Sequence, residues 1–282
     1  GGNNVYDVTV QVSDGTLTST QAIAVAVTPV NDNTPAITSS ATASVAENST
    51  AVMTVTATDA DLPAQTLSYS IVGGADAVKF SINSTTGALS FLAAPNYESP
   101  TDAGGNNVYD VTVQVSDGTL TSTQAIAVTV TPVNDNTPTI TSSATASVAE
   151  NTTAVLTVTA TDADLPAQTL TYSIVGGADA AKFSINASTG ALSFVTAPDY
   201  EAPTDSGGNN VYDVTVQVSD GALTSTQAIA VTVTPVNDNT PAITSSATAS
   251  VAENTSAVMT VTATDADLPA QTLSYSIVGG AD

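Results

Sequence analysis

Short runs of alternating apolar and polar residues recur along the chain, each bounded by Gly, Pro, Asn or Asp. That period of two marks β-strands with one dry and one wet face. In the run 108–116, Tyr109, Val111, Val113 and Val115 share one face, while Asp110, Thr112, Gln114 and Ser116 share the other. The next run, 123–131, turns Ile126, Val128 and Val130 to one side. Upstream, the same reading predicts short A-strand pieces at 36–38 and 43–46, strand B at 51–58, C at 67–72, D at 79–82 and E at 88–92, with 108–116 and 123–131 as F and G. Thr86-Gly87 predicts the D–E hairpin, and Gly73-Gly74 and Gly104-Gly105 mark loops. Sheets with one apolar face must stack in pairs.

The pattern then repeats. GGNNVYDVTVQVSDG begins at Gly1, Gly104 and Gly207, a period of 103 residues. That is too long for a solenoid unit and matches one whole sandwich of seven strands. The predicted fold is therefore all-β: tandem seven-stranded Greek-key, immunoglobulin-like sandwiches in a linear array. Boundaries fall at Asn-Asp-Asn-Thr-Pro, near Pro35, Pro138 and Pro241. Residues 1–34 then hold strands F and G of one repeat, 35–137 and 138–240 are complete repeats, and 241–282 hold strands A to C of another. The chain reads as a window on a longer array, with end stretches expected to be disordered or paired with neighbouring molecules.

Composition narrows the chemistry. The chain carries 26 acidic residues against two cationic ones, Lys79 and Lys182, and lacks Cys, His and Trp. Histidine catalysis, thiol chemistry, disulfides and Cys/His zinc sites are excluded. With so little positive charge, nucleic acid is not an expected partner. Hydrophobic residues at 42% argue for folded sandwiches rather than an acidic disordered chain. No apolar run is long enough to insert into a membrane as a helix. No nucleophile–base pair is present, so an enzyme is not expected.

The acids are not scattered. Val-Ala-Glu-Asn (Glu47, Glu150, Glu253), Asp-Ala-Asp (Asp59/Asp61, Asp162/Asp164, Asp265/Asp267), Pro-Asx-Tyr-Glu (Asn96/Glu98, Asp199/Glu201), Val-Ser-Asp-Gly (Asp14, Asp117, Asp220) and Asn-Asp-Asn all keep the 103-residue phase. Tyr-Asp-Val (Asp7, Asp110, Asp213) does too, but alternates onto the wet face of F. Taken alone, Asp-Ala-Asp or Asn-Asp-Asn is common turn chemistry. In this order and phase the motifs resemble the cadherin repeat, in the cadherin-like form of large bacterial surface adhesins.

That resemblance implies Ca²⁺ between consecutive repeats, held by the base of one, the linker, and the top of the next. Carried onto this sequence, the junction between the complete repeats would take Glu47 and Glu98, then Asn134, Asp135 and Asn136, then Asp162, Asp164 and Asp220. The following junction would take Glu150, Asp199, Glu201, Asn237, Asp238, Asn239, Asp265 and Asp267. The preceding one would take Asn31, Asp32, Asn33, Asp59, Asp61 and Asp117. Two departures stand out: Asn96 replaces the usual Asp, which returns at Asp199, and the loop Leu165-Pro166-Ala167-Gln168 is short.

Electrostatics points the same way. Two carboxylates ~4 Å apart repel by about 4 kcal/mol at an effective dielectric of about 20. Six converging at a junction, with no Lys or Arg among them, need cations to stay compact. About three Ca²⁺ would balance them, and hard oxygen ligands suit that ion. The expected function is a calcium-stiffened extender of a secreted, bacterial cell-surface adhesin serving adhesion or biofilm, its partners being calcium and the neighbouring repeats. The alternative is an adhesive module binding carbohydrate or a sister chain homophilically, but aromatics at 4% with no Trp offer little platform for a sugar.

Overall fold

The computed structural model describes residues 2–281 of the chain. In the first unit, strands β1 (Val5–Ser13) and β2 (Thr18–Ala26) form a hairpin. The complete repeat follows: β3 (Ala36–Ile37), β4 (Thr42–Ala46), β5 (Ala51–Thr54), β6 (Ala57–Thr58), β7 (Ser68–Gly73), β8 (Phe80–Ile82), β9 (Ala88–Phe91), β10 (Val108–Ser116) and β11 (Thr121–Thr131). One sheet has the order β4-β11-β10-β7, with β4 parallel to β11. Its partner runs β5-β9-β8, and β3 pairs with β6 beside it. The chain divides into two units at Val133/Asn134. The second unit repeats the plan through β12 (Thr139–Ile140), β13 (Thr145–Ala149), β14 (Ala154–Thr157), β15 (Ala160–Thr161), β16 (Thr171–Gly176), β17 (Phe183–Ile185), β18 (Ala191–Phe194), β19 (Val211–Ser219) and β20 (Thr224–Thr234).

The alternation predicted for strands F and G is what fills the core. Val111, Val113, Val115, Ile126, Val128 and Val130 are each at most 1% exposed. Burying such a side chain contributes about 1.5–3 kcal/mol, so this layer is a major part of what holds the repeat together. Phe80 stacks on Phe91 at 4.5 Å, and Tyr109 meets Phe91 edge-on at 5.1 Å. The Tyr109 hydroxyl finds its partner at the rim, accepting from the Thr101 N–H at 3.2 Å. Tyr97 and Tyr200 pack partly buried against the two cores.

Strand B differs from the single run the sequence predicts. It breaks at 55–56 because β5 pairs with β9 while β6 pairs with β3, and Val55 between them donates instead to the Gly87 carbonyl at 2.8 Å. Gly87 has φ +72°, and a Cβ there would collide with that same Val55 carbonyl. Replacing Gly87 by Ala is expected to destabilise the repeat by about 1–3 kcal/mol through strain alone, read as a lowered melting temperature. Strand D starts at Phe80, because 77–79 form a 3₁₀ turn. The loop at Gly73-Gly74 is anchored by Asp76, which is 2% exposed and accepts the Ala103 and Asp110 N–H groups at 2.7 and 2.9 Å.

The two end stretches differ from each other. Residues 5–26 form the F and G strands expected of them, as a fully registered hairpin. After β21 (Ala242–Ile243) and β22 (Ala263–Thr264), which pair with each other, residues 265–281 hold no strand, and 248–252, the counterpart of β13, is not a strand either. The reason is pairing: in the complete repeat β13 hydrogen-bonds β20, β14 bonds β18 and β16 bonds β19. The stretch 241–282 contains no counterpart of β18, β19 or β20.

Candidate metal centres at the repeat ends

Each unit gathers acids where strand ends and linkers meet. In the first, carboxylate oxygens of Asp59, Asp61 and Asp117 lie within 4.8 Å of one another. Asp59 and Asp61 follow β6, and Asp117 opens the turn after β10, so the ends of two strands bring them together. The turn holds itself, with Asp117 Oδ1 accepting the Thr119 and Leu120 N–H groups, both at 2.7 Å. Asp61 accepts the Asn33 N–H at 3.0 Å and the Asn33 side-chain amide, tying the linker to the cluster, while its own N–H donates to Asp59 Oδ1 at 2.9 Å.

The second unit repeats this geometry. Asp162, Asp164 and Asp220 form the cluster. Asp164, 2% exposed, accepts the Asn136 backbone N–H at 3.1 Å and its side-chain amide at 2.6 Å. Burial pushes the Asp164 carboxyl up, but the Asn136 and Asp135 donors outweigh it and hold it below the ordinary carboxylate value. The same balance lowers Asp220, where burial is overcome chiefly by the Leu223 and Ala222 N–H groups.

A further cluster in this unit joins Glu150, Glu201 and Asp238. Glu150 is 3% exposed and bridges two loops: Oε1 accepts the Val236 N–H at 2.6 Å and Oε2 the Tyr200 N–H at 2.8 Å. Its counterpart Glu47 does the same with Val133 at 2.7 Å and Tyr97 at 2.8 Å. Glu201 Oε1 accepts the Leu268 N–H at 2.8 Å, and Asp267 accepts from Asn239 N–H at 3.0 Å, so a loop of the repeat and the linker that follows it are both stitched to the top of the next stretch. Asp265 caps that loop, accepting the Asp267 N–H at 3.2 Å.

Several acids named from sequence stand outside these three clusters. Asp199 Oδ1 accepts the Glu201 and Ala202 N–H groups at 3.0 and 3.1 Å, and Asn96 Oδ1 accepts the Ser99 N–H at 3.0 Å. Asn and Asp are interchangeable in that turn-capping task, which accounts for the Asn96 departure. Asp32 and Asn33 are joined through the Asn33 amide at 3.1 Å.

The decisive chemistry lies in the oxygens left over. Asn31 Oδ1, Asp59 Oδ2 and Asp117 Oδ2 are buried with no hydrogen-bond partner, and so are Asn134 Oδ1, Asp162 Oδ2 and Asp220 Oδ2 one period later. An unsatisfied buried polar group costs about 1–3 kcal/mol, more when charged. A set of amide and carboxylate oxygens with no donor offered by the protein fits a hard divalent cation, and suits Ca²⁺ in particular because that ion accepts many oxygens in flexible geometry. Sequence reasoning missed Asn48 and Asn151, which follow the glutamates with φ of +61° and +60°; the only signal was an Asn recurring in phase at a turn.

Tandem sandwiches with acids phased to their linkers define a class of extracellular modular proteins, and the comparisons agree. The cadherin domain profile matches residues 41–131 and 144–234, and the chain belongs to this family. Human protocadherin Fat 1 is 34% identical over 98% of this chain, which spans 6% of that protein. Chitinase A of Pseudoalteromonas piscicida is 38% identical over 44% of this chain and 14% of its own length. Among solved structures, the EC22-24 segment of mouse cadherin-23 superposes with a TM-score of 0.62 at 25% identity, covering 84% of this chain and 79% of that one. Cadherin domains are extracellular adhesion and structural modules that bind Ca²⁺ as a class. No helix among the described residues is long and apolar enough to cross a membrane.

Proposed function

We propose that this chain is a calcium-stiffened spacer of a secreted bacterial surface adhesin, in which ions bound at the repeat ends arrest motion at the linkers. The observation that carries the reading is the recurring trio of buried, unpartnered oxygens at the top of each complete repeat, set among carboxylates with no Lys or Arg nearby. Asn31, Asp59, Asp61 and Asp117 hold the ion in the first unit. In the second, Asn134, Asp162, Asp164 and Asp220 hold one set, and Glu150, Glu201 and Asp238 with Asp267 hold another. The residual oxygens supply coordination; the backbone N–H bonds already described keep the ligand carboxylates in place before the ion arrives. Bound Ca²⁺ supplies the positive charge that these clusters lack.

Near-identical repeats suit a part whose task is length, since a binding face needs only one copy. A bacterial setting is supported by the Pseudoalteromonas relative, and an extracellular one by the family. The lack of Cys fits a secreted rod made rigid by metal rather than disulfides. The test is small-angle scattering with calcium and with chelator. The chain is expected to show a larger radius of gyration and a longer maximum dimension in millimolar Ca²⁺ than in EDTA. Identical scattering in the two conditions would overturn the stiffening role.

A further inference from the structure

The linker aspartate Asp238 is the most exposed member of its cluster, beside the half-buried Glu201 and the buried Glu150. An exposed carboxylate on a linker has rotamers to lose before it can ligate, so something must hold it. Two amides do. Asn239 Nδ2 donates to Asp238 Oδ1 at 3.0 Å, and Asn151 Nδ2 donates to Asp238 Oδ2 at 2.5 Å. Asn239 is the aspartate's own neighbour, but Asn151 comes from 87 residues upstream, at the turn between β13 and β14.

Asn151 can reach because of its backbone. It sits at φ +60°, and its N–H donates to the Pro198 carbonyl at 2.9 Å, fixing the turn. Asn48 has φ +61° and donates to the Pro95 carbonyl at 3.0 Å, and Asn254 has φ +64°. Glycine is the least strained residue for this conformation, and the chain uses it at Gly87 and Gly190, φ +72° and +71°. At 48, 151 and 254 it uses Asn instead. Backbone geometry alone does not require that amide.

We propose that Asn151 is a positioning residue for calcium: its turn's left-handed backbone aims an amide that orients the linker carboxylate of Asp238 toward the ion. Asn151 touches Asp238, not the ion. A carboxylate oxygen has lone pairs enough to accept the amide and still ligate. With no Lys or Arg at the cluster, an amide also orients the aspartate without neutralising it, which leaves its full charge for the metal.

The inference rests on the calcium reading above, and one experiment separates the two. Glycine at this site keeps the left-handed turn and its backbone bond while deleting only the amide; alanine deletes the amide and strains the turn. Calcium binding by N151G and N151A is measured by calorimetric titration of the full chain, alongside melting in EDTA. The glycine variant is expected to melt in EDTA as the parent does, yet bind Ca²⁺ about tenfold to a hundredfold more weakly at the affected sites, as loss of an outer-shell partner does elsewhere. The alanine variant is expected to bind as weakly and also to melt lower. Parent-like calcium affinity in the glycine variant overturns the proposal and leaves the calcium reading standing. A glycine variant that melts lower in EDTA also overturns it, because the amide is then structural. If the parent takes up no Ca²⁺, the calcium reading itself falls.

Discussion

In about 10 mM Ca²⁺ the chain is expected to melt about 10–20 °C higher than in EDTA. The size follows from linkage. Extracellular modules of this chemistry bind with dissociation constants of about 10⁻⁴–10⁻³ M, so this concentration stands about 10- to 100-fold above them. Each site that binds the folded state alone then adds about 1.4–2.7 kcal/mol. For a domain of about 100 residues, 1 kcal/mol moves the melting temperature by about 4–8 °C. Two or more ions per repeat end carry the shift into the stated range even when part of the gain is spent on ordering linkers. The cause is local: the carboxylates of Asp162, Asp164 and Asp220 lie within 4.8 Å of one another with Asp162 Oδ2 and Asp220 Oδ2 unsatisfied, and chelator leaves that repulsion without an offsetting charge. Scanning calorimetry across a calcium series checks it. Melting that is insensitive to calcium between EDTA and 10 mM would show that those oxygens are solvated rather than ligated. Magnesium at the same concentration is expected to shift melting far less, since it dehydrates reluctantly and demands a regular octahedron.

Much of this architecture was legible before any coordinates. The two-residue alternation that put Val111, Val113 and Val115 on one face identified the side chains that became the innermost layer, because a sheet buried on one face leaves that trace directly in the sequence. The 103-residue phase located the acids, and Asp-Ala-Asp and Val-Ser-Asp-Gly do meet in space within both complete repeats. What escaped was whatever depends on backbone partners. Glu47 reads in sequence as a phased acid and a candidate ligand; that it also accepts the N–H of Val133, 86 residues away, has no sequence signature, since every residue but proline offers the same donor. The break in strand B was hidden for a related reason. Residues 51–58 alternate as one strand, but their partners belong to two different ladders, and a strand's own pattern does not say who pairs with it. Asn96 and Asp199 looked like a ligand lost and regained. Each also caps the corresponding loop of its own repeat, a task either side chain can do, so the exchange leaves the turn intact.

Replacing Glu150 by Ala is expected to destabilise its repeat by about 2–5 kcal/mol even in EDTA, and by more in calcium. In chelator the loss has nothing to do with metal. Glu150 is 3% exposed, and its two oxygens are acceptors for Val236 N–H and Tyr200 N–H. Truncation orphans both donors at a cost of about 1–3 kcal/mol each and frees the loop carrying Glu201 together with the linker carrying Asp238. In calcium the same change also removes a ligand, so the calcium-dependent part of the stability falls along with the intrinsic part. The two contributions separate by difference: melting of variant and parent in EDTA gives the bridging share, and the change in calcium-induced shift gives the ligand share. Glu150→Gln is expected to fall between, because the amide keeps one acceptor but turns an NH₂ toward a backbone N–H. A Glu150→Ala variant that melts like the parent in EDTA would mean the two loops find their order without the glutamate. One that loses stability in EDTA yet keeps the full calcium shift would leave Glu150 as a bridge alone, with Glu201 and Asp238 carrying the ion.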